Sequence, residues 1–212
     1  VGTLAAGGKG YFVLDITTPG NTTYLVYTDQ TDSSDADLGH IFGAPVVAEF
    51  NTERALQISR MNNDRWALIT GNGYNSTNGR PVLMIQYLSG SDKSIKKITA
   101  ASTGSESTDN GLSTPRPVDL DGDGTIDAVY AGDLKGNMWK FDLSSKSDSN
   151  WGLAFSSANC TACTPFFTTK DASGSRQPIT TAPIVRASKS TSGLMVAFGS
   201  GQNLTDGDRS DR

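Results

Sequence analysis

Residues 119–127 read DLDGDGTID, with aspartates at 119, 121, 123 and 127 and glycines at 122 and 124. Alternate spacing lets every second side chain of a curled loop face one point, which is the arrangement a cation needs. Counted as a calcium loop, Asp119, Asp121, Asp123 and Asp127 hold positions one, three, five and nine. Thr125, at position seven, can offer its backbone carbonyl. Gly124 holds position six, where the chain turns sharply and glycine turns at least cost. Hard oxygen ligands in this number favour Ca²⁺ over Zn²⁺. An ordinary Asp/Gly turn is the competing reading. Four carboxylates so close repel one another unless neutralised, and that favours one bound Ca²⁺. Position twelve, a bidentate glutamate in an EF-hand, is Tyr130 here, inside the apolar run IDAVYAG. The pattern therefore predicts a calcium-binding β-hairpin with an EF-like ligand order, Asp127 replacing the closing glutamate.

Other chemistry-bearing residues are sparse. Cys160 and Cys163 form CTAC. A thioredoxin-type pair needs a helix N-terminus in an α/β setting, and these flanks read as loop and strand. A zinc half-site needs a second ligand pair, and the single histidine, His40, stands alone. A local disulfide in an oxidising compartment is the third and favoured reading. No nucleophile–base pair suggests a hydrolase. The acidic run TDQTDSSDADLG (28–39) lacks the turn glycine and reads as a solvated loop; KSIKK (93–97) reads as a solvated strand end. Net charge is −4, and with no dense basic patch a nucleic-acid partner is not expected. No stretch approaches the ~20 apolar residues of a membrane span. The chain opens without Met or a signal peptide and in mid-pattern, as expected of a piece of a longer precursor.

The elements that must position the aspartate loop repeat along the chain. Three proline-containing openings recur: GAPVVAEF (43–50), PRPVDLDG (115–122) and TAPIVRAS (181–188). Each precedes an apolar run ending in glycine: RWALITGNG (65–73), DAVYAGD (127–133) and LMVAFGSG (194–201). Two third runs follow, PVLMIQYL (81–88) and GNMWKFDL (136–143), and KGYFVLDI (9–16) resembles a third run from a preceding unit. The period is roughly 60 to 70 residues. Short β-branched or aromatic runs bounded by Gly, Asn, Asp or Ser are strands. The nearest helix-like window, SRMNNDRWALI, is interrupted by the turn residues NND. Repeated units of up to four antiparallel strands bury their faces by stacking around an axis. The fold expected is all-β: residues 1–212 as part of one β-propeller, about three blades plus a leading strand. A sandwich is the alternative. Since a closed propeller usually has at least four blades, the full domain is expected to extend beyond this chain.

In order along the chain, GKGYFVLDIT, LGHIFGAPVV, WALITGNGYNS, VDLDGDGTIDAVYAGDLKGNMWKFDL, QPITTAPIV and VAFGSGQNL resemble the C-terminal β-propeller of the PilY/PilC family. These are type IV pilus tip-associated adhesins and biogenesis factors. The resemblance implies one Ca²⁺ held by the Asp119, Asp121, Asp123 and Asp127 side chains and the Thr125 carbonyl. It implies control of pilus extension against retraction, and through that of twitching motility, surface attachment and virulence. It also implies no catalysis, a secreted or cell-surface location at the pilus tip or outer membrane of a Gram-negative bacterium, and pilin partners, major or minor. A host surface would be met through regions outside this chain. Two rival functions share the pattern. A quinoprotein-dehydrogenase-like propeller would use Trp66, Trp139 or Trp151 for stacking, although blade-core or inter-blade packing is the favoured reading of each. An integrin-like binding propeller would hold purely structural calcium in repeated loops, whereas only one unit here carries the full motif.

Overall fold

The computed structural model describes residues 9–18, 25–31, 34–42, 46–48, 51–101, 107–156, 163–188, 192–204 and 206–209. Sixteen strands and short 3₁₀ turns make up its regular structure, and no α-helix occurs among these residues. The first hairpin pairs β1 (Phe12–Asp15) with β2 (Leu25–Asp29), and a second small one pairs β3 (Val47–Ala48) with β4 (Asn51–Ala55). An antiparallel meander follows, of β5 (Ile58–Met61), β6 (Trp66–Gly71), β7 (Val82–Tyr87) and β8 (Ile95–Thr99). The next sheet has β9 (Arg116–Val118), β11 (Ala128–Gly132) and β12 (Asn137–Asp142), edged by β13 (Gly152–Leu153) and β14 (Phe167–Thr168). β15 (Ile184–Ala187) and β16 (Leu194–Ala197) form the last hairpin. β10 (Thr125–Ile126) leaves the loop between β9 and β11 and joins the preceding meander, parallel to β5.

The two-residue period of a strand explains the stacking. All six residues of β7 are buried, yet they divide by parity. Leu83, Ile85 and Tyr87 enter a core shared with Val129, Ala131, Trp139 and Phe141 of the next sheet. Val82 and Met84 enter a separate core with Tyr11 and Val13 beside β1. In the second sheet Ala128, Tyr130 and Met138 face the other way, toward Val185 and Val196 of the last hairpin. Each central sheet is thus apolar on both faces, and the order of layers in space follows the order in sequence. That is the face-to-face stacking of propeller blades. Two glycines permit its close approach. A Cβ on Gly71 would lie 2.2 Å from the Ser113 carbonyl oxygen, and one on Gly132 would lie 2.3 Å from the Ile179 side chain. The glycines ending β6 and β11 are where the next unit crosses.

Three sequence expectations change. The strand beside β6 is β5, and the described part of GAPVVAEF pairs with β4 instead; residues 43–45, 49 and 50 lie outside the described residues. The turn expected at NND is present, by contrast: β5, with the sequence ISRM, alternates buried and less buried positions and turns back there into β6. The acidic loop is not simply solvated. Asp37 is 4 % exposed and bonds to Arg80, Lys97 and Asn78. KSIKK accordingly runs into the first half of β8, with Lys97 committed to this cluster. Among the tryptophans, Trp139 (1 %) and Trp151 (5 %) are core residues, while Trp66 is 49 % exposed and is not.

Candidate metal centre

The aspartate loop is the connection of the β9–β11 hairpin, and both of its ends are fixed by the ladder. The Asp127 amide donates to the Val118 carbonyl at 3.0 Å, and the Leu143 amide donates to the Asp127 carbonyl at 2.8 Å. Ile126, 2 % exposed, plugs the loop into the core between the two central sheets. Between these anchors the chain curls through Gly122 (φ 84°) and Gly124 (φ 90°), conformations that side-chain-bearing residues rarely adopt.

The curl brings carboxylates together. One oxygen each from Asp119, Asp121 and Asp127 lie within 4.8 Å of one another. Asp123 is not part of that group. Its Oδ1 accepts from the Thr125 amide at 2.8 Å and the Thr125 hydroxyl at 2.6 Å, and these donors, the hydroxyl foremost, hold its carboxyl below the usual range. Thr125 lies buried in β10. The loop's own amides orient the acids. Gly122 and Gly124 donate to the two oxygens of Asp119 at 2.7 and 2.8 Å. The Asp123 amide donates to Asp121 at 3.1 Å, and the Leu120 amide donates to Asp127 Oδ2 at 2.7 Å.

This donor set fits a divalent cation. With Ca–O distances of 2.3–2.6 Å, opposite ligands lie about 5 Å apart, comparable with the span of the three oxygens. Among the described residues no lysine or arginine forms an ion pair with Asp119, Asp121 or Asp127. Amides organise the three carboxylates, and the nearest basic charge the structure brings to bear on the loop is Arg60, which acts at a distance on Asp123.

A partner missed by sequence reasoning sits on the preceding sheet. Asn62, in the β5–β6 turn, donates through Nδ2 to Asp127 Oδ1 at 3.0 Å, and its Oδ1 accepts from the Thr125 hydroxyl at 3.1 Å. The NND run signals a turn, but nothing local points to a residue 65 positions away. Asp133 is a second buried carboxylate outside the motif. Burial raises its carboxyl, opposed by donors from Trp139, Asn137 and Asn110. It pins the β11–β12 turn. Cys163 is disulfide-bonded, so its sulfur is not free to ligate zinc; Cys160 lies outside the described residues.

Comparison with known proteins then decides the family. The PilY1 β-propeller domain model matches residues 1–212. The chain belongs to the PilY1 β-propeller family. It is 36 % identical over 221 residues to the type IV pilus biogenesis factor PilY1 homolog of Xylella fastidiosa, which covers 100 % of the chain and 14 % of that protein. It is also 36 % identical over 228 residues to PilY1 of Pseudomonas aeruginosa strain UCBPP-PA14, covering 98 % of the chain and 18 % of that protein. The crystal structure of the P. aeruginosa PilY1 C-terminal domain superposes with a TM-score of 0.79 at 32 % identity, covering 98 % of this chain and 41 % of that one. The chain therefore spans less than a fifth of the curated relatives it matches. The all-β propeller architecture expected from the repeats is the architecture of the family. The PilY1 family is not an enzymatic one, and the quinoprotein reading falls with that membership.

Proposed function

We propose that this propeller region is the calcium-binding part of a type IV pilus biogenesis factor at the cell surface, and that ion occupancy biases the pilus between extension and retraction. Asp119, Asp121, Asp123 and Asp127 hold one Ca²⁺ through their side chains, and Thr125 holds it through its carbonyl. The observation that carries the reading is the convergence of three carboxylates that form no ion pair with a lysine or arginine among the described residues, in a chain of the PilY1 family. A bound cation would supply the positive charge that the loop lacks. The chain's own residues do the rest. Gly122 and Gly124 set the curl, their amides aim Asp119, and Ile126 moors the loop to the core so that a change in its conformation is felt by packed strands. Pilus components, the major or minor pilins, are the partners this reading names.

Isothermal titration of the full-length protein with Ca²⁺ and Mg²⁺ tests the metal assignment, with one Ca²⁺ per chain and weaker Mg²⁺ binding expected. Absence of calcium heat overturns it. The pilus role is tested separately by placing Asp127→Ala in the full-length protein in its host. Surface piliation or twitching should be lost, and normal motility would argue decisively against the role.

A further inference from the structure

We propose that Asn62 is a positioning residue of the metal loop, and that through it ion occupancy is tied to the β5–β6 hairpin of the neighbouring sheet. The inference rests on the calcium reading above. Three features carry it.

The first is the reach of one side chain. Asn62 Nδ2 donates to the Ile126 carbonyl at 3.0 Å, to Asp127 Oδ1 at 3.0 Å and to the Leu143 carbonyl at 3.1 Å, while Oδ1 accepts from Thr125 Oγ1. It therefore touches Thr125 and Asp127 and the peptide between them. Turning the amide over would set its oxygen against three acceptors, so the network fixes the orientation. Two amide hydrogens serve three acceptors, so a movement of Asp127 redistributes the other two bonds.

The second is charge. Asn62 holds Asp127 without neutralising it. A lysine or arginine in that place would supply the counter-charge and remove the reason to bind a cation. A neutral donor fixes the carboxylate and leaves its charge for the ion, as outer partners of metal ligands generally do.

The third is backbone continuity. Thr125 and Ile126 pair in parallel with Arg60 and Met61, the residues directly before Asn62. The metal loop is therefore a strand of the neighbouring sheet as well as a loop of its own. Whatever an ion does to the loop acts on β5, and by linkage whatever strains β5 acts on ion affinity.

The test uses the full-length protein, wild type and Asn62→Ala, with Ca²⁺ titration by calorimetry, melting in chelator, and hydrogen exchange over residues 58–66. The variant should bind calcium about 10- to 100-fold more weakly. Calcium should slow exchange over 58–66 in the wild type and fail to do so in the variant. A purely structural Asn62 would lower the melting temperature in chelator and leave calcium affinity within twofold of wild type; that result overturns the proposal. Should the variant not fold, wild-type exchange decides: slowing at 119–127 with none at 58–66 also overturns it. No calcium heat in the wild type removes the calcium reading and this inference together, and so is distinguishable from either other failure.

Discussion

Two acidic clusters lie in this molecule and solve the same electrostatic problem differently. In the loop before β3, Asp35 and Asp37 are met by cations. Arg80 donates to Asp37 from Nε at 2.7 Å and from Nη2 at 3.1 Å, and Lys97 donates to Asp37 at 3.0 Å and also bonds Asp35. Burial works to raise the Asp37 carboxyl, yet the Arg80, Asn78 and Lys97 donors hold it well below the usual carboxylate range. In the β9–β11 loop, Asp119, Asp121 and Asp127 receive only amide hydrogen bonds. Amides orient a carboxylate without cancelling its charge. The first cluster is a finished structural joint, and the second keeps its charge, which under the calcium proposal a cation from solution would complete.

The contrast can be broken in four ways, in decreasing order of effect. Arg80→Met should destabilise the fold by about 3 kcal/mol, near the low end for removing one partner of a buried pair, because Lys97 and Asn78 remain. Urea unfolding measures this, and added Ca²⁺ should restore none of it. A loss below ~0.5 kcal/mol would mean that the cluster is only a surface contact. Asp127→Ala should abolish calcium-dependent stabilisation, which at a hundredfold excess over Kd is about 2.7 kcal/mol. Differential scanning calorimetry with and without Ca²⁺ reads it, and an unchanged calcium shift removes Asp127 from the ligand set. Gly124→Ala should cost about 1 kcal/mol without calcium. The site has open space for a Cβ, so the penalty is the left-handed backbone alone; a neutral result in chelator melts contradicts that account.

The fourth test reads a slope in acid rather than a loss at neutral pH. The folded Asp37 carboxyl lies below its unfolded value of about 3.9, so the unfolded chain takes up a proton first as pH falls. The stability it contributes is complete above about pH 4 and is lost as pH drops toward the folded value. Urea melts between about pH 4 and 2 should therefore show a shallower pH dependence in Asp37→Asn than in wild type. Parallel slopes would remove Asp37 from the acid response.

Much of the architecture was legible because strand signals are local. VLMIQY, AVYAG and NMWKFD are β-branched or aromatic runs, and they form β7, β11 and β12. β8, read as IKKIT, was obscured by its lysines, one of which turns toward Asp37 rather than water. β5 was obscured by its brevity and by the asparagines that follow it. At the candidate metal centre the spacing of the four aspartates and two glycines was visible at once, because the loop's amide bonds span at most seven residues. Asn62 was not visible, since its partners lie 63 to 81 positions away.

By itself the sequence determined the strand runs, the repeat, the curled loop and its family, all of which follow from short-range geometry or from a pattern kept in order along the chain. Only the tertiary structure decided which acids acquire a counter-ion from the protein. Arg80 and Lys97 reach Asp37 across 43 and 60 residues. No cation is folded onto Asp119, Asp121 or Asp127 among the described residues; a neutral asparagine from the next sheet is folded there instead. Charge compensation depends on what packing brings within a few ångströms, and no local spacing encodes that.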